Sequence, residues 1–113
     1  MNSILAERPL KLISKDGLAT DIAIQIGVPY WVEKDVEAAC PVAIRGMMED
    51  LQDMHGVDFL QVLELAIGLA NQMLLHQKNT EYRVCWPDGE PYDSEEVGPM
   101  AQQGVRVDRL KRG

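Results

Sequence analysis

The sequence predicts an α+β fold: an antiparallel β-meander of about four to five strands with one long amphipathic helix packed on one face. Three observations carry that reading. Several segments before residue 46 alternate apolar with polar residues, the pattern of half-buried strands. One later segment, residues 57–80, repeats its apolar residues at spacings of three and four, the pattern of a helix with one buried face. Turn chemistry at Asp16-Gly17, Gly46 and Pro87-Asp88-Gly89 separates the segments. A chain of 113 residues fits one core, so residues 1–92 read as a single α+β domain and residues 93–113 as an irregular C-terminal extension.

Residues 1–7 read as a frayed start. Residues 8–14 and 19–26 read as two strands around Lys15-Asp16-Gly17-Leu18, with Leu10 and Leu12 on one and Ile22, Ile24 and Ile26 on the other. Residues opposite each other in an antiparallel pair share a face. Setting Leu12 opposite Ile22 and Leu10 opposite Ile24 needs a loop with an odd number of residues or a bulge. A two-residue turn would instead put Lys11 opposite Ile22 and turn the apolar set outward. The expected turn therefore has three or five residues, with Gly17 at positive φ. Gly27-Val28-Pro29 ends the second strand, and Tyr30-Trp31-Val32 reads as an exposed aromatic cluster leading into Glu33-Lys34-Asp35.

Over residues 36–45, Val36, Ala38, Cys40, Val42 and Ile44 share one face. Pro41 falls on the other, and its missing N–H points to an edge strand or a bulge. Residues 47–55 are ambiguous: Met47, Met48, Leu51, Met54 and His55 fit helical spacing, while a fourth strand running into Gly56 is the alternative. Asp58 sits where a helix N-cap belongs and Gln61 three residues on, with Val57 and Val62 at the spacing of a hydrophobic staple. The expected buried face is Phe59, Val62, Leu63, Ala66, Ile67, Ala70, Met73 and Leu74, widened by Leu60, Leu65 and Leu69. Gln61, Glu64, Gly68, Asn71 and Gln72 mark the polar side, and they interrupt the apolar run that a membrane span would require. Residues 81–86 read as a last short strand, followed by a Pro-Asp-Gly turn and then loop through Pro91-Tyr92. Residues 105–110 read as a further short strand, a docked arm or a mobile tail.

The net charge is −7 and unevenly spread. Residues 1–105 hold 7 Lys/Arg and 17 Asp/Glu, while residues 106–113 hold Arg106, Arg109, Lys111 and Arg112 against Asp108. An acidic body repels nucleic acid and attracts basic partners, although acidity also simply keeps small proteins soluble. No charged-then-apolar leader opens the sequence. The expected compartment is cytoplasmic, with Cys40 and Cys85 reduced and filling the core.

Three motifs together carry a resemblance: Cys40-Pro41-x-x-Ile44, the helix start Gly56-Val57-Asp58-x-x-Gln61-x-Leu63, and Trp86-Pro87-Asp88-Gly89-Glu90-Pro91. Their arrangement over roughly residues 8–92 resembles a family of small bacterial α+β proteins of unknown function, immunity-protein-like in size and type. The resemblance implies a meander, one long helix and a short final strand. It favours a strand over residues 47–55, which is the reading adopted. It supplies no catalytic residues.

Catalytic and metal chemistry find little footing. Cys40, His55, His76 and Cys85 would have to converge for zinc, and none shows the close pairing of a zinc site. Both cysteines fall on core faces, where a thiol is inert. The carboxylate pairs Glu49-Asp50, Asp88 with Glu90, and Glu95-Glu96 fall in loops or on solvated faces. No glycine-rich phosphate loop is present. The expectation is therefore a non-enzymatic binding protein with no cofactor and no metal. In its sharpest form it is an immunity-type inhibitor that occludes a bacterial toxin, a basic protein domain, with an acidic surface. Glu33, Asp35, Glu37, Glu49, Asp50 and Asp53 would supply charge complementarity, and Tyr30, Trp31 and Trp86 would be anchors. Neither nucleic acid nor membrane is expected as a partner, and the chain would be a monomer or a homodimer. The alternatives are a small homodimeric structural or adaptor module pairing through an edge strand, and a phage-encoded acidic inhibitor of host defence.

Overall fold

The computed structural model describes residues 3–78 and 82–92. Strands β1 (Ile4–Ile13), β2 (Ala19–Gly27), β3 (Tyr30–Glu33), β4 (Glu37–Cys40), β5 (Val42–Arg45) and β6 (Met54–Gly56) precede helix α1 (Phe59–Lys78), and β7 (Arg83–Cys85) follows it. The fold is α+β and its strand pairs are antiparallel. One sheet has the order β5-β2-β1-β7 and a shorter one the order β3-β4-β6.

The two sheets are parts of one meander. β2 and β3 are separated only by Val28-Pro29, and β4 and β5 only by Pro41. Together they form one long hairpin: β2 pairs β5 with Ile26 opposite Val42, and β3 pairs β4 with Tyr30 opposite Ala39. The register slips by one residue across Val28-Pro29, so the bulge lies on that strand. Ala38, Cys40, Val42 and Ile44 all keep facing the core across Pro41. Gly27 N–H donates to the Pro41 carbonyl at 2.9 Å, and a Cβ on Gly27 would sit 2.8 Å from the proline ring. The expected irregularity at Pro41 is thus a bend shared by both strands, and the aromatic cluster expected after Pro29 is a strand.

The first hairpin has the expected parity. Its loop is the five residues 14–18 and Gly17 has φ +87°. The partners differ from expectation by two residues: Leu10 faces Ile22, and Ile24 faces Arg8. The expected frayed start is also corrected. β1 begins at Ile4, and its early part is held by Glu7, whose Oε2 accepts from Gln25 Nε2 at 2.6 Å.

Residues 47–55 are not one strand. Gly46 has φ +85°, and Met47 and Met48 amides turn back onto the Ile44 carbonyl at 3.0 and 2.6 Å. This reversal spends the first residues of the segment on a turn that Met48 closes by an isolated bridge to Ile44, and only Met54–Gly56 forms a strand. A Cβ on Gly46 would lie 2.8 Å from the Asp21 carbonyl oxygen, so both φ and space demand glycine there.

The α1 cap forms with one change. Asp58 Oδ1 accepts from Gln61 N at 2.8 Å, and Gln61 Oε1 accepts from Val57 N–H at 2.7 Å. A Cβ on Gly56 would run into the Gln61 carboxamide, so a larger residue there would displace the capping side chain. Val57 is exposed while Val62 is fully buried, so the staple is not made. Val62, Ala66, Ala70 and Leu74 face the core, whereas Phe59 and Ile67, expected there, and Leu60 and Leu65, expected to widen that face, are exposed. Asn71, expected on the polar side, is buried.

What buries Asn71 is the C-terminal end of the described fold. Trp86 N–H donates to the Glu90 carbonyl at 2.7 Å and Tyr92 N–H to the Val84 carbonyl at 3.0 Å, closing a tight turn through Pro87-Asp88-Gly89. Tyr92, outside any regular strand as expected, is nevertheless part of the core, and its hydroxyl donates to Asn71 Oδ1 at 2.9 Å. Residues 79–81, the expected extension 93–113 and the arm expected at 105–110 lie outside the described residues.

Candidate functional site

Strand alternation sorts the short sheet into two faces. Trp31, Ala38, Cys40 and Met54 point to the core. Tyr30, Ala39 and His55 stand opposite one another on neighbouring strands, so they share the outer face. Glu37, two residues before Ala39, joins them. Its Oε2 lies 2.6 Å from His55 Nδ1. Tyr30 Oη donates to Asp53 Oδ2 at 2.6 Å, just before β6 begins. The hydroxyl's bond to Asp53, with some desolvation and the carboxylate's charge, raises the Tyr30 pKa above its ordinary value. Ala39 is fully buried beneath this group although it lies on the outer side.

Beside Tyr30, where the long hairpin bends, a cleft of about 510 Å³ opens. Val28, Pro29 and Pro41 form apolar walls, and Glu49 and Asp53 place carboxylates along it. Cys40 lies on the opposite side of the sheet. Its thiol donates to the Gly27 carbonyl at 3.4 Å and is fully buried. Burial first, and the charge of Asp53 second, push that thiol's pKa up, which opposes thiolate chemistry.

The fold gathers part of the expected partner surface and disperses the rest. Tyr30, Glu37 and Asp53 come together on the outer face, and Glu49 joins them along the cleft. Asp50 is exposed on the same loop, and Glu33 and Asp35 are exposed near the tip of the β3–β4 hairpin. Asp35 also has a backbone role: its φ is +62°, a left-handed conformation that aspartate tolerates in turns. Trp31 is on the core side, stacked at 4.8 Å on Phe59. Trp86 lies at the β7 end, edge-on to Tyr92 at 5.0 Å, with the Arg8 guanidinium 5.4 Å from its ring. Both tryptophans thus serve packing in this fold.

His55 is the outer-face residue that sequence reasoning did not assign to the partner surface. Its signal was available only through register: His55 and Glu37 are 18 residues apart and meet because β6 pairs with β4. Chemically, the face can accept hydrogen bonds and attract cations. Among the described residues, no group of three or more His, Cys, Asp or Glu is placed to hold a metal ion. No family model, curated protein or solved structure matches the chain.

Proposed function

We propose that this protein is a non-enzymatic binding protein that presents the acidic outer face of its short sheet to a basic protein partner. One observation carries the reading: Tyr30, Glu37 and Asp53 converge on one face, beside a cleft that Glu49 also lines. Residues 33–53 contribute six acids against Lys34 and Arg45. Tyr30 is exposed with its ring edge fixed by Asp53, the combination of rigid aromatic area and oriented polar tip that suits an interface anchor. The carboxylates around it would steer a cationic partner and fix its orientation. The sequence resemblance suggests the narrower form, an immunity-type inhibitor that occludes a bacterial toxin.

The test is capture of partners from the lysate of the native host with tagged protein at low and high salt, read by mass spectrometry. Wild type is compared with a Glu33→Gln/Glu37→Gln/Glu49→Gln variant. One stoichiometric basic partner, retained at low salt and lost in the variant, supports the proposal. A partner held equally by both proteins places the interface elsewhere and refutes it.

A further inference from the structure

Where β4 passes into β5, one rung of the hydrogen-bonded ladder has no partner. Gly27 N–H donates to the Pro41 carbonyl, so Pro41 turns its backbone towards β2. Backbone polar groups alternate sides along a strand, so Cys40, Val42 and Ile44 turn theirs the other way. On that side Cys40 pairs with Met54, and Ile44 exchanges both amide bonds with Met48, at 2.7 and 2.6 Å. Val42 lies between these two rungs. Opposite the three residues 41–43 the returning chain spends five, 49–53, and so bows away from the edge. Among the described residues, neither the N–H nor the C=O of Val42 has a partner on that side. Val42 is 2% exposed and lines the cleft of about 510 Å³. Buried backbone groups are nearly always paired, and a cleft of this volume is large enough for a ligand.

We propose that the cleft is a slot for an extended peptide of the type basic–small–basic, carried by the partner, whose middle residue supplies the missing rung. This rests on the proposed function and names what the acidic face binds. The middle C=O accepts from Val42 N–H and the middle N–H donates to Val42 C=O, the exchange that defines a bonded antiparallel pair. Cross-strand partners share a face. Val42 faces the core, so the middle side chain points to where Met48, Leu51 and Met54 already pack, and glycine suits that position. Its two neighbours point outward. Glu49 follows Met48 at one end of the slot, and Asp53 precedes Met54 at the other. Each outward neighbour therefore meets one carboxylate, which selects Lys or Arg at both positions. Tyr30 Oη occupies Asp53 Oδ2 and leaves Oδ1 to receive the cation. Val28, Pro29 and Pro41 give apolar surface to the methylenes of those side chains. The rungs at Cys40 and Ile44 close both ends of the slot, so the peptide enters and leaves over the outer face. The mode is strand addition, confined to one rung.

The experiment titrates the full chain at low salt with Ac-Arg-Gly-Arg-NH2, read by amide NMR. The Val42 amide should shift and its hydrogen exchange should slow. Replacing the glycine by N-methylglycine keeps the charge and removes the donor to Val42 C=O, and it should weaken binding about fivefold, the worth of one hydrogen bond. Methylating the N–H of the first arginine, which points out of the slot, should change little. Valine in the middle and Glu49→Gln in the protein should each weaken binding. Absence of any change at Val42 overturns the proposal. So does equal binding of the glycine and N-methylglycine peptides, which would mean attraction by charge alone. The readout needs no captured partner, so the two readings fail separately. Equal peptide binding with a salt-sensitive partner captured overturns the slot and leaves the proposed function standing. Discrimination between the peptides, with capture indifferent to the acid-to-amide variant, supports the slot and overturns that function.

Discussion

Tyr92→Phe removes one oxygen and isolates a buried amide. In the fold, Tyr92 Oη donates to Asn71 Oδ1 at 2.9 Å and accepts from Arg8 Nη1 at 3.1 Å. Tyr92 is 3% exposed and Asn71 8%. The Asn71 Nδ2 group is itself buried without a partner among the described residues, so Tyr92 supplies that carboxamide's only hydrogen bond there. Leaving a buried polar group unpaired costs roughly 1–3 kcal/mol, so the expected loss is about 2 kcal/mol. For a domain of this size that lowers Tm by roughly 8–16 °C. The companion change Asn71→Leu keeps the number and branching of the side-chain heavy atoms and deletes the amide that would be stranded. The double variant Asn71→Leu/Tyr92→Phe should therefore lie closer to wild type than Tyr92→Phe alone. Urea unfolding of the four proteins forms a double-mutant cycle, and the coupling should be at least about 1 kcal/mol. A Tyr92→Phe protein as stable as wild type, or additive losses, would show that the pair is not what seats the end of the chain on the helix.

Three further outcomes follow from backbone and titration. Asp35→Val should cost about 1–2 kcal/mol, because a β-branched residue is strained at φ +62°, while Asp35→Gly should stay within about 1 kcal/mol of wild type; thermal melts separate the two. Gly46→Ala should destabilise more than Gly17→Ala. Both have positive φ, but only at Gly46 would the new methyl meet a backbone oxygen, that of Asp21. The Tyr30 phenol should ionise above its ordinary pKa of 10.0, and Asp53→Asn should bring it down, read by absorbance titration of the wild-type and variant proteins. The sign follows from linkage. The folded state favours the protonated phenol, so this contribution is fully present below the unfolded pKa and is lost as pH rises through the folded value.

Local chemistry made much of the fold legible. The parity of Leu10 and Ile22 required an odd loop or a bulge, and the loop has five residues. Asp58 and Gln61 marked the start of α1, and the core face through Ala38, Cys40, Val42 and Ile44 was readable by alternation, although Val36, expected with them, is exposed in the hairpin turn. What was hidden depended on distant partners. The face of α1 that is buried is set by where the sheets lie beneath it, so Ile67 turned outward and Asn71 inward. Tyr92 looked like loop because its burial depends on the turn through Gly89 and on a helix residue 21 positions earlier. The candidate site was partly legible. Acids were abundant, but the meeting of Glu37 with His55 and of Tyr30 with Asp53 follows only from the pairing and placement of β3, β4 and β6. That Trp31 and Trp86 pack partly against the core follows from the faces that β3 and the residue after β7 turn inward, which local spacing did not show.

The claim that matters most is that the outer face of the short sheet recruits its partner by charge. The direct measurement is the association rate of the captured partner with wild type and with the Glu33→Gln/Glu37→Gln/Glu49→Gln variant, across a range of salt. Screening acts at a Debye length of about 10 Å in 0.1 M salt. The wild-type rate should fall at least tenfold from low to high salt, and the variant should start low and stay nearly flat. Equal rates and equal salt slopes in the two proteins would contradict the account.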